Sequence, residues 1–268
     1  MKIELLEELR EQNPVIFNIS NFVTVQDVAN GINAIGASPI MSEEVLEAEE
    51  MVKMAGAVCL NFGAFTQPQI NQIRTVGKLA NEFHKPLILD PVAVGAVKFR
   101  QETIFGLLSD FHPDIIRGNA GEIAALAELE WNAKGIDAGD GTGDLTEIAV
   151  ACARKWHCIV MLSGTIDYVT DGQTVVRIEN GTPLFQLHVG SGDMVSSIVA
   201  AFAAVSADNL FEAAQTGGLV FAATGELVAN HLLDEDADHL RPGTFAVELM
   251  DMLHNVTVAD VEAVAEFD

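Results

Sequence analysis

Short apolar runs rich in β-branched residues alternate along this chain with longer stretches in which apolar residues return every three or four positions. A period of two or less marks strands buried in a sheet, and a period near 3.6 marks helices with one face turned to a core. The runs predict strands over Val15 to Ile19, Ser38 to Met41, Ala57 to Asn61, Leu87 to Asp90, Asp114 to Arg117 and Cys158 to Leu162. Between them the longer period predicts helices near Asp27 to Ile35, Glu43 to Ala55, Gln67 to Phe83, Thr103 to Ser109, Gly121 to Glu128 and Leu145 to Trp156. Strands that alternate with helices in this way form an α/β fold with a mainly parallel sheet and crossover helices.

After Tyr168 the pattern changes. Asp171-Gly172 lies between Tyr168-Val169 and Val175-Val176, a hairpin signature that puts an antiparallel pair at one edge of the sheet. Met194 to Val205 and Leu210 to Asn230 are too apolar and too rich in alanine for surface helices, so they are expected to pack deep against the sheet. The segment from Asn132 to Asp144 holds four glycines and three aspartates and reads as a loop, not a linker, because regular elements resume on both sides. One domain is therefore expected over residues 1–268, with an N-terminal helix over 1–12. The tail from Ala259 to Asp268, with four carboxylates and no basic residue, is expected to fray.

Composition narrows the functional classes. With 39 acidic and 14 basic residues the formal net charge is -25, which repels nucleic acids and anionic membranes. An anionic ligand then needs a local positive site, which helix N-termini, a few basic residues and a divalent cation supply. Cys59, Cys152 and Cys158 have neither disulfide nor zinc spacing. The N-terminus is a charged amphipathic stretch and no apolar segment approaches the length of a membrane span, so a cytoplasmic protein is expected.

Three places can carry chemistry. The first is Gly190-Ser191-Gly192-Asp193 ahead of the apolar helix from Met194: the glycines let backbone approach a ligand, helix-start amides favour negative charge, and the Asp193 carboxylate can take a proton from an alcohol. Asp193 can equally be an ordinary N-cap. The second is Arg117-Gly118-Asn119-Ala120-Gly121-Glu122 after a strand, where Arg117 offers planar donors for phosphate and Asn119 and Glu122 offer oxygens for Mg²⁺, or form a capping box. The third is Asp90-Pro91, also at a strand's carboxyl end, able to hold a metal or simply to start a turn. Ser163-Gly164-Thr165 can bind phosphate or form only a turn, and Met41 can line an apolar pocket or a core. The P-loop pattern, zinc-protease motif and nucleophile elbow are all absent.

Asn18-Ile-Ser-Asn-Phe-Val-Thr24, Ala29-Asn-Gly31, Gly36-Ala-Ser-Pro-Ile-Met41, Leu60-Asn-Phe-Gly63, Leu89-Asp-Pro-Val92, Ile116-Arg-Gly-Asn119 with Glu122, Asp167-Tyr-Val-Thr-Asp-Gly172 and Gly190-Ser-Gly-Asp193 occur in this order. Together they resemble the hydroxyethylthiazole kinase family, a branch of the ribokinase-like fold with helices on both faces of the sheet. The resemblance implies ATP-dependent phosphorylation of the hydroxyl of 4-methyl-5-(2-hydroxyethyl)thiazole in thiamine biosynthesis or salvage. It implies that Met41 and Gly190 contact the thiazole, that Arg117 and Ser163 bind ATP, and that Asp90 and Glu122 organise Mg²⁺ through water. Asp193 would activate the alcohol, with Gly190 and Gly192 beside it. Relatives are homotrimers with pockets between subunits, so Asn21 and Gly63 would serve the pocket from different chains. Many relatives carry Cys in place of Asp193, Thr in place of Ser163, and Gly-Ala-Gly-Ala where this chain has Ala93-Val-Gly-Ala96. Kinases of hydroxymethylpyrimidine or pyridoxal, and a thiazole-binding protein without turnover, remain as alternatives within the fold.

Overall fold

A computed structural model describes residues 1–129, 131, 144–235 and 239–268. The described residues form eight strands: β1 (Val15–Ile19), β2 (Ser38–Ile40), β3 (Ala57–Asn61), β4 (Leu87–Asp90), β5 (Ile115–Asn119), β6 (Ile159–Ser163), β7 (Asp167–Thr170) and β8 (Val175–Ile178). Their helices are α1 (Leu5–Gln12), α2 (Val25–Ile35), α3 (Ala48–Met54), α4 (Gln67–Glu82), α5 (Lys98–Leu108), α6 (Ala120–Ala127), α7 (Leu145–Trp156), α8 (Ser191–Val205), α9 (Leu210–Glu235), α10 (Pro242–Asn255) and α11 (Val258–Val264).

The strands make one sheet in the order β2-β1-β3-β4-β5-β6-β7-β8. Pairing is parallel from β2 to β6 and antiparallel from β6 to β8, as the Asp171-Gly172 hairpin signal required. Side chains alternate between two cores. Ala57, Cys59 and Ile88 face one core, packed by α8, α9 and α10, whereas Val58, Leu60, Leu87 and Leu89 face the other, packed by α4, α5 and α6. Because both faces are covered, the central strands read as unbroken apolar runs, which is why the sequence located them so closely.

The expected helices Met194 to Val205 and Leu210 to Asn230 correspond to α8 and α9 and lie in the first core, with Ile198, Phe202, Leu219 and Val220 buried. The helix expected over Glu43 to Ala55 is instead a 3-10 turn at Val45–Glu47 followed by α3, because the Glu44 side chain accepts from the Leu46 amide at 2.9 Å and caps the turn. The loop expected over Asn132 to Asp144 lies, apart from Asp144, outside the described residues. The tail does not fray: α11 is capped by Thr257 and Asp260, and Phe267 pairs antiparallel with Ile178 of β8. The amide of Arg177 donates to the Asp268 carbonyl at 3.0 Å and the Asp268 amide returns a bond at 3.1 Å. Repulsion among carboxylates is overcome here by backbone pairing that the composition does not reveal. None of the described helices is long and apolar enough to cross a membrane.

Candidate active site

In an open parallel sheet, ligands settle outside the carboxyl ends of the strands, at the place where strand order reverses. Here β1 is followed outward by β2 while β3 lies on its other side, so the reversal falls between β1 and β3. The residues just past those two strands are Asn21 and Gly63, with Asn61 closing β3; Asp90 ends β4, Arg117 lies in β5 and Ser163 ends β6. Helix α8 crosses this row and brings Asp193 to it.

Asp193 is not an N-cap. The helix begins at Ser191 with Gly190 as its N-cap, in a left-handed conformation at φ 100°, so Asp193 occupies the third helical position and its carboxylate is free to reach outward. There it is held by three donors. Asn21 Nδ2 and Thr24 Oγ1 reach Oδ2 at 2.7 and 2.5 Å, and Asn61 Nδ2 reaches Oδ1 at 2.9 Å. The orientation of both amides is fixed from behind. Asn21 Oδ1 accepts from the amides of Val23 and Thr24, and Asn61 Oδ1 accepts from the Gly63 amide at 2.8 Å and from Asn21 Nδ2 at 3.0 Å. Two glycines make room: a Cβ on Gly63 would lie 2.6 Å from Asn21 Nδ2, and one on Gly190 would lie 2.8 Å from Thr24 Cγ2.

The neighbouring cluster is charged. Asp90 is fully buried, and Ser196 Oγ on α8 donates to its Oδ2 at 2.7 Å. Arg117 Nη1 lies 3.8 Å from the same oxygen, and Arg117 Nη2 donates to Ser163 Oγ at 2.5 Å. Burial pushes the Asp90 carboxyl up to about 8 against the opposing pull of Arg117. Gly192 lets the guanidinium lie against the start of α8, since a Cβ there would sit 2.6 Å from Nη1. Glu122 completes the capping box with Asn119, and its two oxygens also bridge backbone: Oε2 accepts from the Asn119 amide at 2.8 Å and Oε1 from the Ala93 amide at 2.7 Å. Burial raises its pKa while those amides lower it. Ala93 is at φ 59°, the left-handed region that a glycine adopts without strain.

Nine of the expected site residues are thus gathered in two adjoining clusters: Asp193, Asn21, Gly63 and Gly190 in one, and Asp90, Arg117, Ser163, Gly192 and, through Ala93, Glu122 in the other. Met41 stands apart, one residue past the edge strand β2 and packed beside the first core, with no polar link to either cluster. Sequence reasoning assigned no role to Thr24, Asn61, Ser196 or Arg100. Arg100 on α5 donates to the carbonyls of Phe62, Gly63 (2.8 Å) and Val92 (3.0 Å), tying the loops after β3 and β4 together. Thr24 and Asn61 lay inside the recognised motifs, and the position of Asn61 at a strand's carboxyl end was the available signal.

Chemically, the arrangement offers a carboxylate able to accept a proton, helix-start amides, and a guanidinium suited to phosphate. Mg²⁺ fits the residues present in a water-mediated form. Asp90 Oδ1 is a buried acceptor without a hydrogen-bond partner, while no group of three or more acidic, His or Cys residues able to cage an ion occurs among the described residues. Mg²⁺ asks for little more, keeping most of its waters and binding through one or two carboxylates plus substrate phosphates.

Fold and site together define a ribokinase-like small-molecule phosphotransferase. A solved structure of hydroxyethylthiazole kinase from Pyrococcus horikoshii superposes with a TM-score of 0.88 at 32% identity, over 100% of this chain and 99% of that one. The hydroxyethylthiazole kinase family model matches residues 6–259, and the chain belongs to that family. Hydroxyethylthiazole kinases of Levilactobacillus brevis and Lactiplantibacillus plantarum are 65% and 62% identical over the whole of both chains. The chain is accordingly a kinase with an alcohol as acceptor. Pyridoxal kinase of Staphylococcus aureus, with a TM-score of 0.58 at 15% identity over 80% of this chain and 88% of that one, shares the fold.

Proposed function

We propose that this chain transfers the γ-phosphate of ATP to the hydroxyl of 4-methyl-5-(2-hydroxyethyl)thiazole, with Asp193 as general base. The observation that carries the reading is the Asp193 carboxylate, half-buried in the first turn of α8 and held at the β1–β3 reversal of the sheet. As the alcohol oxygen attacks the γ-phosphorus, its proton passes to Asp193, the bond to the β-γ bridging oxygen breaks and ADP departs. The α8 amides and Arg117 stabilise charge on the phosphoryl oxygens, and Ser163 holds the guanidinium toward the nucleotide. Asp90 and Glu122 would hold Mg²⁺ through water, and the ion would neutralise charge on the β- and γ-phosphates. Asn21 and Gly63, expected from different chains, meet within one chain and border the thiazole with Gly190, whereas Met41, which stands apart from them, would reach it from a second copy.

Phe22, Val23 and Val189 are 75%, 59% and 73% exposed and directly adjoin Asn21, Thr24 and Gly190. An apolar rim of this kind at the mouth of a site supports a pocket completed by a second copy, in keeping with a homotrimer. The chain acts in this reading as one cytoplasmic kinase domain. Incubation with Mg-ATP and 4-methyl-5-(2-hydroxyethyl)thiazole is expected to release ADP in step with thiazole phosphate. Folded, trimeric protein that turns over hydroxymethylpyrimidine or pyridoxal in preference would overturn the substrate assignment. Size exclusion with light scattering checks the assembly.

A further inference from the structure

We infer that Thr24 is a positioning residue for phosphoryl transfer, acting with Asn21 and Asn61 to dedicate Oδ1 of Asp193 to the alcohol proton. The inference rests on the reading of Asp193 as base. An ionised carboxylate has about four lone-pair directions, two on each oxygen. Among the described residues, Oδ2 is saturated by Thr24 Oγ1 and Asn21 Nδ2, whereas Oδ1 accepts only from Asn61 Nδ2. One direction is left open, and it belongs to Oδ1.

The clamp is itself immobilised. Thr24, Asn21 and Asn61 are each buried, and the backbone amides of Val23 and Gly63 orient the two side-chain amides so that their NH₂ groups face the carboxylate. Among the described residues Thr24 Oγ1 donates to Asp193 and to no other acceptor, and its methyl packs on Gly190. Gly63 and Gly190 abut this clamp, so a side chain at either position would displace a clamp residue. In the reaction the alcohol donates to Oδ1 while its oxygen bonds to the γ-phosphorus. The O–H proton ends on Oδ1, the electrons of the broken phosphoanhydride bond leave with ADP, and the proton later passes to solvent. With Thr24 absent the carboxylate can rotate and offer either oxygen, so the productive geometry is populated less often.

Thr24→Val preserves shape and removes the hydroxyl. Steady-state kinetics with Mg-ATP and 4-methyl-5-(2-hydroxyethyl)thiazole are expected to show kcat reduced roughly 10- to 100-fold, as loss of orientation alone costs, with both KM values and the melting temperature little changed. Thr24→Ser, which restores the donor, is expected to return kcat to within about threefold of the parent, and Thr24→Val added to Asp193→Asn to leave residual turnover of radiolabelled ATP unchanged within about twofold. An equal loss in both backgrounds, a change in KM alone, or parental kcat in Thr24→Val overturns the inference. Parental activity in Asp193→Asn instead overturns the reading beneath it, so the two failures are told apart.

Discussion

Two carboxylates lie side by side on α8's approach to the sheet, and their surroundings differ in kind. Asp193 is met by three neutral donors at 2.5 to 2.9 Å, the two side-chain amides among them already oriented by backbone. Asp90 is more deeply buried yet has one hydroxyl donor, a guanidinium 3.8 Å away and an oxygen with no hydrogen-bond partner. Arg117 beside it leaves Nε equally unpartnered. Buried polar groups are nearly always satisfied, and exceptions in native proteins mark places that wait for something. The first setting is filled but for one direction on Oδ1 and suits a group that must be aimed. The second is a buried carboxyl and a guanidinium held apart, and suits one that must meet incoming phosphate or cation. The division is not absolute, since Asn18 Oδ1 and Ser20 Oγ near β1 are also unpartnered.

The largest effect is expected where the Asp193 setting is broken. Asp193→Asn retains the clamp's shape but cannot take a proton, so kcat is expected to fall roughly 10²- to 10⁴-fold with substrate KM values held, measured by coupled ADP release.

The strained setting behaves in the opposite way. Asp90 has a folded pKa of about 8 and an unfolded one near about 4, so between those values the folded chain binds the proton more firmly. Stability contributed by this group therefore declines as pH rises through that window and is level above it. Asp90→Asn removes the decline. Its melting temperature should match the parent near the acid end and exceed it at pH 8 to 9, with activity lost, because each unit of carboxyl shift corresponds to about 1.4 kcal/mol. Thermal scans across pH check this, and a variant less stable than the parent at high pH would show that Asp90 is not strained.

Arg100→Met tests whether the two settings are mechanically joined. It removes three bonds to the carbonyls of Phe62, Gly63 and Val92 and a cation-π contact with Phe65 at 4.7 Å, all on the loops that carry Asn61 and Asp90. A loss of about 1–3 kcal/mol in denaturant titration is expected, with KM raised for both substrates. The smallest effect is expected from Ser163→Thr, which keeps the hydroxyl that receives the Arg117 bond. Stability should stay within about 0.5 kcal/mol and ATP KM within experimental scatter.

Legibility in the sequence followed the same physics. Strands β1, β3 and β4 were found to the residue because burial on both faces makes them short, mainly apolar runs, Asn18 in β1 excepted, and the hairpin was found because its turn demands Asp-Gly. The site residues at strand ends were visible as motifs. Their partners were not: Thr24 and Ser196 are ordinary hydroxyl residues in local context, and only the crossing of α8 over the sheet makes them neighbours of Asp193 and Asp90. The capping box at Asn119 and Glu122 was legible as one of two readings, and the structure shows it present, with Glu122 also reaching across to Ala93. The start of α8 was missed by three residues, since Gly190 rather than Asp193 ends the preceding turn.

The pairing of Phe267 with Ile178 also protects the molecule from its own kind. Strand β8 is the last of the sheet, and its outer backbone groups would invite a stranger's strand. Residues 266 to 268 occupy that edge, and they bring carboxylates to it, Asp268 meeting Arg177 at 3.2 Å. Clipping the chain behind Val264 would spare the β1–β3 reversal, near the opposite edge of the sheet, while opening a seam along which copies could zip together, so solubility rather than turnover would register the loss.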